Sequence, residues 1–476
     1  MGMAARDKWK RRLEEEELVD RISGLPDAVL GEIVTLLPTR AGARTQVLSS
    51  RWRHIWRSAP LNFDPASDNP FDPTSDKPHV IGDDIPNGEI SRILSEHRGP
   101  GRRFCAEFPY VDLRFRSAAT LGGLLRSPAL DSLQELEFHY GFRFPREWSP
   151  LPPPPPLPAS VSRFSSTLRV ARFGGCTFPD SALHLPVLKQ LTLSHATISK
   201  STLHQLLAGC PVLQSLLLSY NSGFSRVRIV SRTLTSIGVN PDGGESIRLQ
   251  HLILEDAPCL ERLLLFSPGT RKVMDISVIS APKLDILGPL SDDFSRVEIG
   301  STVFQGPLVS FVTVMPSVKI LALVNEHLSL DVAIKFLQCF SCLEKLYVKT
   351  TLAGYENRWC DKYENIVSTL DICVKKVVLL NYRGNKSHVN FAKLFVLSAR
   401  LLESMVLELE HGIVLSTEWI ERQHKRLHTK NSASRGAQFD FVDHDSLSGL
   451  SGYVNEAQAH DLSTADPFVR FRNWPS

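Results

Sequence analysis

The chain has 476 residues, enough for two or three domains and a large core. Apolar residues make up 42% and charged residues 22%, which excludes an intrinsically disordered chain. A formal charge of +3 over that length excludes a partner held by global charge, so neither nucleic acid nor a membrane is expected. No apolar run approaches the roughly 20 residues of a membrane span.

Residues 1–20 form a charged arm, with Lys8-Trp9-Lys10-Arg11-Arg12 ahead of Glu14–Glu17. Separate basic and acidic blocks read as a solvated face or flexible arm, a nuclear-import signal being the sharper alternative. The arm lacks an apolar signal core, and Arg6 stands where a myristoylation pattern needs Ser or Thr. An intracellular setting, nucleus or cytoplasm, is therefore expected.

The stretch Ile22 to Trp56 predicts three short helices. Leu25-Pro26-Asp27 opens the first, with Pro26 where a missing N–H costs nothing. Val29, Leu30, Ile33, Val34 and Leu37 follow at helical spacing as one apolar stripe, and Pro38 stops the helix. Thr39 is placed to cap a second helix reaching about Leu48. Ser49 or Ser50 caps a third, in which Trp52, Ile55 and Trp56 fall at i, i+3, i+4. Such a core is too small to be comfortable alone and calls for a partner.

These residues resemble the F-box of the large plant F-box family. The matching motifs are Leu25-Pro26-Asp27, Ile33-x-x-x-Leu37-Pro38-Thr39 and Val47-Leu48-Ser49-x-Arg51-Trp52-Arg53-x-x-Trp56. The resemblance implies docking on a Skp-type adaptor, itself bound to a cullin scaffold in a multi-subunit ubiquitin ligase. It also implies the contact residues: Leu25, Pro26, Ile33, Leu37 and Pro38, with Val47, Leu48 and Trp52 divided between adaptor contact and internal packing. Gly31 and Gly42 depart from the pattern, each costing about 1 kcal/mol of helix stability relative to Ala.

Residues 58–90 are rich in Pro, Asp, Ser and Asn and read as a linker or long loop, with a helix at Glu89–His97 and a strand at 104–112. From Leu133 one phrase returns, Leu-x-x-Leu-x-Leu or an apolar equivalent. It starts at Leu133, Leu168, Leu188, Leu213, Leu234, Leu260, Leu284 (degenerate), Val318 and Leu343. Most intervals lie between about 20 and 26 residues, the range of leucine-rich repeats. The last two apolar positions share one face of a strand, and stacked repeats bury that face in a parallel sheet. Short helices are expected on the return path at Ser201–Ala208 and Val332–Phe340, and the longer gaps before Leu168 and Val318 imply insertions. The proline run 152–156 reads as a stiff surface insertion, a ligand for a proline-binding domain being the sharper alternative.

The phrase continues at Val374 and Leu402. Lys375–Gly384, Phe391–Ala399 and Leu402–Val406 together resemble the FBD domain found behind F-box and leucine-rich repeats in plant proteins. The residues themselves read as strand, tight turn at Gly384, amphipathic helix (Phe391, Leu394, Phe395, Leu397) and strand, a terminal repeat with the helix as its cap. Trp419 to Arg435 reads as a solvated basic helix or tail, and Phe468, Val469, Phe471 and Trp474 as residues able to dock back on the last repeat.

No motif for chemistry emerges: no phosphate-binding glycine loop, zinc-protease pair or nucleophile elbow. The eight cysteines are scattered, Cys339-x-x-Cys342 lacks a second pair, and the pairs Asp83-Asp84 and Asp292-Asp293 read as turns. No cofactor, metal or catalytic residue is expected.

The fold expected is an α+β or α/β solenoid: a three-helix F-box, an irregular leucine-rich-repeat solenoid with parallel strands, and an FBD cap. The expected domains are the arm 1–20, F-box 21–60, linker and helix 61–103, repeats 104–360 with the Pro-rich insertion 151–158, FBD 361–412 and a basic tail 413–476. The function expected is a non-catalytic substrate receptor, monomeric within its complex, whose repeats offer a concave sheet to a client protein. A scaffold outside any ligase and a small-molecule-dependent receptor are the alternatives.

Overall fold

A computed structural model describes residues 22, 24–37, 39–64, 87–108, 117–140, 153–181, 183–240, 249–266, 274–291, 296–300, 302–305, 308–310, 315–324, 328, 330–350, 371–443 and 456–468. The arm 1–20, Pro38, the Asp83-Asp84 and Asp292-Asp293 pairs, Cys360, Val469, Phe471 and Trp474 lie outside them. The chain forms two compact units, one of residues 1–106 and 119–137, the other of 107–118 and 138–476.

In the first unit, helix α1 (Asp27–Thr35), helix α2 (Thr39–Arg44), a single 3-10 turn (Thr45–Val47) and helix α3 (Ser50–Ser58) follow the expected order. Pro26 precedes the first helical residue, and the Ser49 hydroxyl accepts from the Trp52 N–H at 3.4 Å, capping α3. Thr39 is not the cap expected of it. Its hydroxyl donates to Asn62 O (3.1 Å) and accepts from the Asp64 N–H (2.7 Å). It therefore fastens the helices to strand β1 (Leu61–Phe63), which occupies the start of the expected linker. β1 runs parallel to β2 (Gly101–Phe108), with Phe63 opposite Phe104. Helix α4 (Asn87–Glu96) closes the unit, where His97 Nε2 lies 2.8 Å from Ala59 O.

The two glycines behave differently. A Cβ on Gly31 would meet Ala59 at 3.8 Å, an ordinary contact. A Cβ on Gly42 would sit 2.6 Å from Cζ3 of Trp56. The benzo ring of the indole comes close to α2 because nothing projects there, and the indole also meets His97, ring centroids 5.6 Å apart. Gly42 is thus a close-approach residue, and the helix-propensity cost is offset by the seat it makes for Trp56.

After β3 (Glu135–Tyr140), the second unit holds two sheets. The repeat phrase supplies β4 (Val170–Gly174), β5 (Gln190–Ser194), β6 (Ser215–Ser219), β8 (Ser236–Asn240), β10 (Arg262–Leu265), β12 (Ile286–Ser291), β16 (Ile320–Val324), β17 (Lys345–Lys349), β18 (Lys376–Tyr382) and β19 (Ser404–Leu409), and β20 (Gln438–Val442), which carries no copy of the phrase, follows. They pair in that order, each parallel to the next. The first leucine of the phrase closes a turn: the N–H groups of Leu188, Leu213, Leu260, Leu284 and Leu343 donate to the carbonyl three residues earlier. The second and third positions align across strands, with Leu191, Leu216, Ile237 and Leu263 in one row and Leu193, Leu218, Val239 and Leu265 in the next, all buried.

The return path holds the two expected helices, α5 (Lys200–Ala208) and α6 (Leu330–Cys339), and a second sheet that the phrase does not announce. Its strands are β7 (Arg226–Val230), β9 (His251–Asp256), β11 (Asp275–Val278), β13 (Arg296–Ile299), β14 (Thr302–Gln305) and β15 (Leu308–Ser310), ordered β15-β14-β13-β11-β9-β7. Arg226-Val-Arg-Ile-Val alternates charge with apolar residues, and Val227 and Ile229 are buried while the others are not. The gap before Val318 is the antiparallel run β13-β14-β15. The proline run is tied into the second unit rather than free: Thr177 N–H donates to Pro155 O and Leu157 N–H to Thr177 O, both 2.8 Å.

Near the C-terminus, Gly384 turns with φ +65° and helix α7 (Lys386–Ser398) follows, its first turn capped by Asn385 accepting from the His388 N–H at 2.9 Å. Phe391, Leu394 and Phe395 are buried as expected, but Leu397 is exposed and Val389 and Val396 take inward places. α7 does not end the solenoid. Helix α8 (Thr417–Leu427) and β20 add another turn, because the expected solvated helix has a buried side of Gln423 and Leu427. Tyr382 donates to Gln423 Oε1 at 3.1 Å, within the space that Gly384 leaves open.

Replacing Gly42 by Ala is expected to destabilise the helices by about 1–3 kcal/mol through overpacking on Trp56, whereas Gly31→Ala raises stability by up to about 1 kcal/mol. Hydrogen exchange across residues 27–58 distinguishes the two directions.

Candidate docking surfaces

The apolar stripe of α1 divides into two. Leu30 and Val34, four residues apart, point inward and form the small core with Trp52 and Ile55. Leu25 and Trp56 pack against its edge. Val29, Ile33 and Leu36 point outward, and Leu36 is 84% exposed. After α2, Val47 and Leu48 are 85% and 64% exposed, and Ile22 is exposed as well. Arg51 fixes the start of α1 from below, donating to Asp27 Oδ1 at 2.8 Å and to the Leu25 carbonyl.

Of the expected contact residues, Pro26, Ile33, Val47 and Leu48 lie on the surface, while Leu37 and Leu25 are half-buried. Trp52 is an interior residue, and Pro38 is outside the described residues. Val29 and Leu36, not among the expected contacts, are exposed beside them. The single-stripe reading hid them, because an apolar set at 29, 30, 33, 34, 36 and 37 is wider than one buried face.

A second surface belongs to the repeat sheet. On the face opposite the leucine rows, one row reads Thr192, Leu217, Gly238, Leu264 and Gly288, and continues as Ala322, Tyr347, Val378 and Val406. Its apolar members form a cluster of their own with Ile286, Ile320 and Leu380. This face is not open. Residues 456–468 lie across it, placing Ala459 and Phe468 in the cluster. The concave surface expected to be free is thus covered by the chain itself. Phe468 is buried as expected, and its ring meets Tyr347 of β17, ring centroids 5.6 Å apart, in a cluster that runs on to Val406 and Val442.

The segment is held by polar contacts from Glu456 to Asp466. Ser219 and Asn240 donate to Glu456 Oε1 at 2.6 and 2.8 Å. His460 places Nε2 2.6 Å from the Thr192 hydroxyl and Nδ1 2.7 Å from that of Ser215. Buried Arg262 donates to the carbonyls of Asp461 and Leu462 at 2.7 and 3.1 Å. Asp466 is buried, and its Oδ2 accepts from Lys345 Nζ at 2.8 Å and Tyr347 OH at 2.9 Å. A Cβ on Gly238 would lie 2.7 Å from the Cβ of Ala459, so the strand carries glycine where the segment comes closest.

Among the described residues no group of His, Cys, Asp or Glu is arranged to hold a metal ion, and no helix is long and apolar enough to cross a membrane. Burial pushes the Cys176 and Cys210 thiols up to about 12, which leaves them unreactive packing groups.

Residues 121–348 match the family model described as FBD-associated F-box protein At5g56370, LRR repeats. Among curated proteins, F-box/LRR-repeat protein 25 of Arabidopsis thaliana is 27% identical over 242 residues, covering 50% of this chain and 78% of that protein. The putative F-box/LRR-repeat protein At3g18150 of the same plant is 26% identical over 327 residues, covering 67% and 63%. A 64-residue match to the putative F-box protein At1g49610, also of Arabidopsis thaliana, reaches 55% identity over 13% of this chain and 16% of that protein. In the last two, the chain spans less than two thirds of its relative.

His460 gives the covered face a pH dependence. Burial, with Arg172 adding repulsion, holds its imidazole down to about 4. The unfolded chain binds that proton near pH 6.5, so this contribution is complete above pH 6.5 and is lost as pH falls from 6.5 toward 4. The loss is on the order of 3 kcal/mol, and buried His388, held down to about 4, adds in the same direction. The thermal midpoint is expected to fall from pH 7 to pH 5, and His460→Gln to show a shallower fall, as read by circular dichroism.

Proposed function

We propose that the chain is a plant F-box/leucine-rich-repeat protein with an FBD segment, and that it is the client-receiving subunit of a Skp–cullin–F-box ubiquitin ligase; the match of residues 121–348 to the repeat model and the similarity to F-box/LRR-repeat proteins of Arabidopsis thaliana support this. The observation that carries this reading is the second apolar side of α1, continued by Val47 and Leu48. Ile33, Leu36, Val47 and Leu48 are solvent-facing in a unit whose own core is already closed by Leu30, Val34, Trp52 and Ile55. Burying each would contribute about 1.5–3 kcal/mol at most, enough together for a specific interface with a Skp-type adaptor. The repeats would then hold a client close to a charged conjugating enzyme, raising the effective concentration of the two. In this role the chain does no covalent work and needs no cofactor.

Gly31 and Gly42 do not weigh against adaptor binding. One has room beside it and the other makes a seat for Trp56. Neither alters the outward side of α1.

Leu36→Asp combined with Val47→Asp is expected to reduce capture of a Skp-type adaptor by more than tenfold, with the thermal midpoint unchanged because both side chains are already in water. Leu30→Ala instead should cost about 2–5 kcal/mol of stability. A wild-type chain that captures no adaptor in a pull-down would sink the ligase reading.

A further inference from the structure

We propose that residues Glu456–Phe468 are an internal ligand, and that the sheet face beneath them is a site for acidic peptide segments of a client. The inference deepens the receptor reading and rests on it for the client. The site itself is argued from the face alone.

The sheet and the segment divide the hydrogen-bonding roles unevenly. Ser219, Asn240, Arg262, Lys345 and Tyr347 all act as donors. The segment answers with two carboxylates and two main-chain carbonyls, and with the neutral His460 ring, which donates to one of the Thr192 and Ser215 hydroxyls and accepts from the other. It contains Glu456, Asp461 and Asp466 and no lysine or arginine. A face that offers donors at these points selects anionic partners, and buried charge-assisted bonds are the strong ones.

The contacts also have the layout of peptide recognition. Arg262 reads two successive carbonyls, which any sequence supplies. Specificity falls to a carboxylate at each end, a small residue in the notch of Gly238 and an aromatic ring on Tyr347. Contacts to main-chain carbonyls beside spaced side-chain seats suit a peptide ligand, here one whose first residues, Glu456–Ala459, form a 3-10 turn on the face of the sheet. An ordinary core cover would bring mainly apolar side chains. Of residues 456–468, only Ala459 and Phe468 join the cluster, the rest of which comes from the strands and from Phe266 just after β10.

A client would therefore displace the segment by presenting the same elements: a carboxylate, a small residue three positions on, and a second carboxylate followed two positions later by an aromatic ring. Binding of client and docking of the segment exclude each other, so the intact chain has a lower apparent affinity for such a peptide than a chain whose segment has left.

The test uses the full chain with a protease site placed within 444–455, cleaved after folding. The probe is a fluorescein-labelled peptide of residues 456–468. The expected result is saturable exchange of the labelled peptide for the cleaved segment, with no exchange on the uncleaved chain. A peptide carrying Asp466→Ala and Phe468→Ala should bind at least tenfold more weakly, as should the normal peptide to a cleaved chain carrying Gly238→Val. Arg262→Lys, which keeps the charge but not the fork, gives a milder second variant should the valine impair folding. Failure of the peptide to exchange, or loss of the circular dichroism signal when the cleaved segment leaves, would overturn the inference by making the segment part of the core. Capture of a Skp-type adaptor by the same preparation separates the two readings. Adaptor retained without peptide exchange defeats only the internal ligand, and peptide exchange without adaptor defeats only the ligase role.

Discussion

A strand has two faces, and a repeat sheet can satisfy only one of them by stacking. Here the leucine rows through Leu191, Leu216, Ile237 and Leu263 are buried by their own repeats. The opposite rows carry Leu217, Leu264, Ile286, Ile320, Val378 and Leu380, which repeat stacking alone leaves uncovered. Apolar area of that extent does not remain in water. Residues 456–468 lie over it, with the glycine at 238 beneath Ala459 and the buried Arg262 and Asp466 holding the segment by polar contacts.

The same constraint acts on α1 with the opposite outcome. Its inner side is satisfied by Trp52 and Ile55, and no described residue of the first unit covers Leu36, Val47 or Leu48. The two surfaces therefore differ in kind. One is closed by the chain and held with charge-assisted bonds. The other is apolar and stands exposed beside a closed core.

The repeat phrase made the leucine rows legible, because it names the inward positions of every strand. It says nothing of the residue between them. That residue was the available signal: Leu216-Leu217-Leu218 and Leu263-Leu264-Leu265 are unbroken apolar runs, the mark of strands buried on both faces. The second sheet escaped because its strands are short, three to six residues, and carry a signal weaker than a repeated motif. Thr39 was read as a cap from its residue type, yet its hydroxyl is spent on Asn62 and Asp64, a tertiary demand no local pattern encodes. The covering segment had no periodicity. Only Phe468 hinted at docking, and its target lies 121 residues upstream at Tyr347.

A solenoid is ordinarily a nearest-neighbour object, in which each repeat senses only the repeats beside it and unfolding can begin anywhere. The bond from His460 to Thr192 joins residues 268 positions apart, and Asp466 then reaches Lys345 on a strand far along the same sheet. Repeats from β5 to β17 are thereby clamped into one cooperative block. Such distant pairings form slowly. During synthesis every strand of that block emerges before the residues that cover it. The nascent sheet thus passes through an interval with its second face bare, in which chaperones, or another acidic peptide, can reach it first.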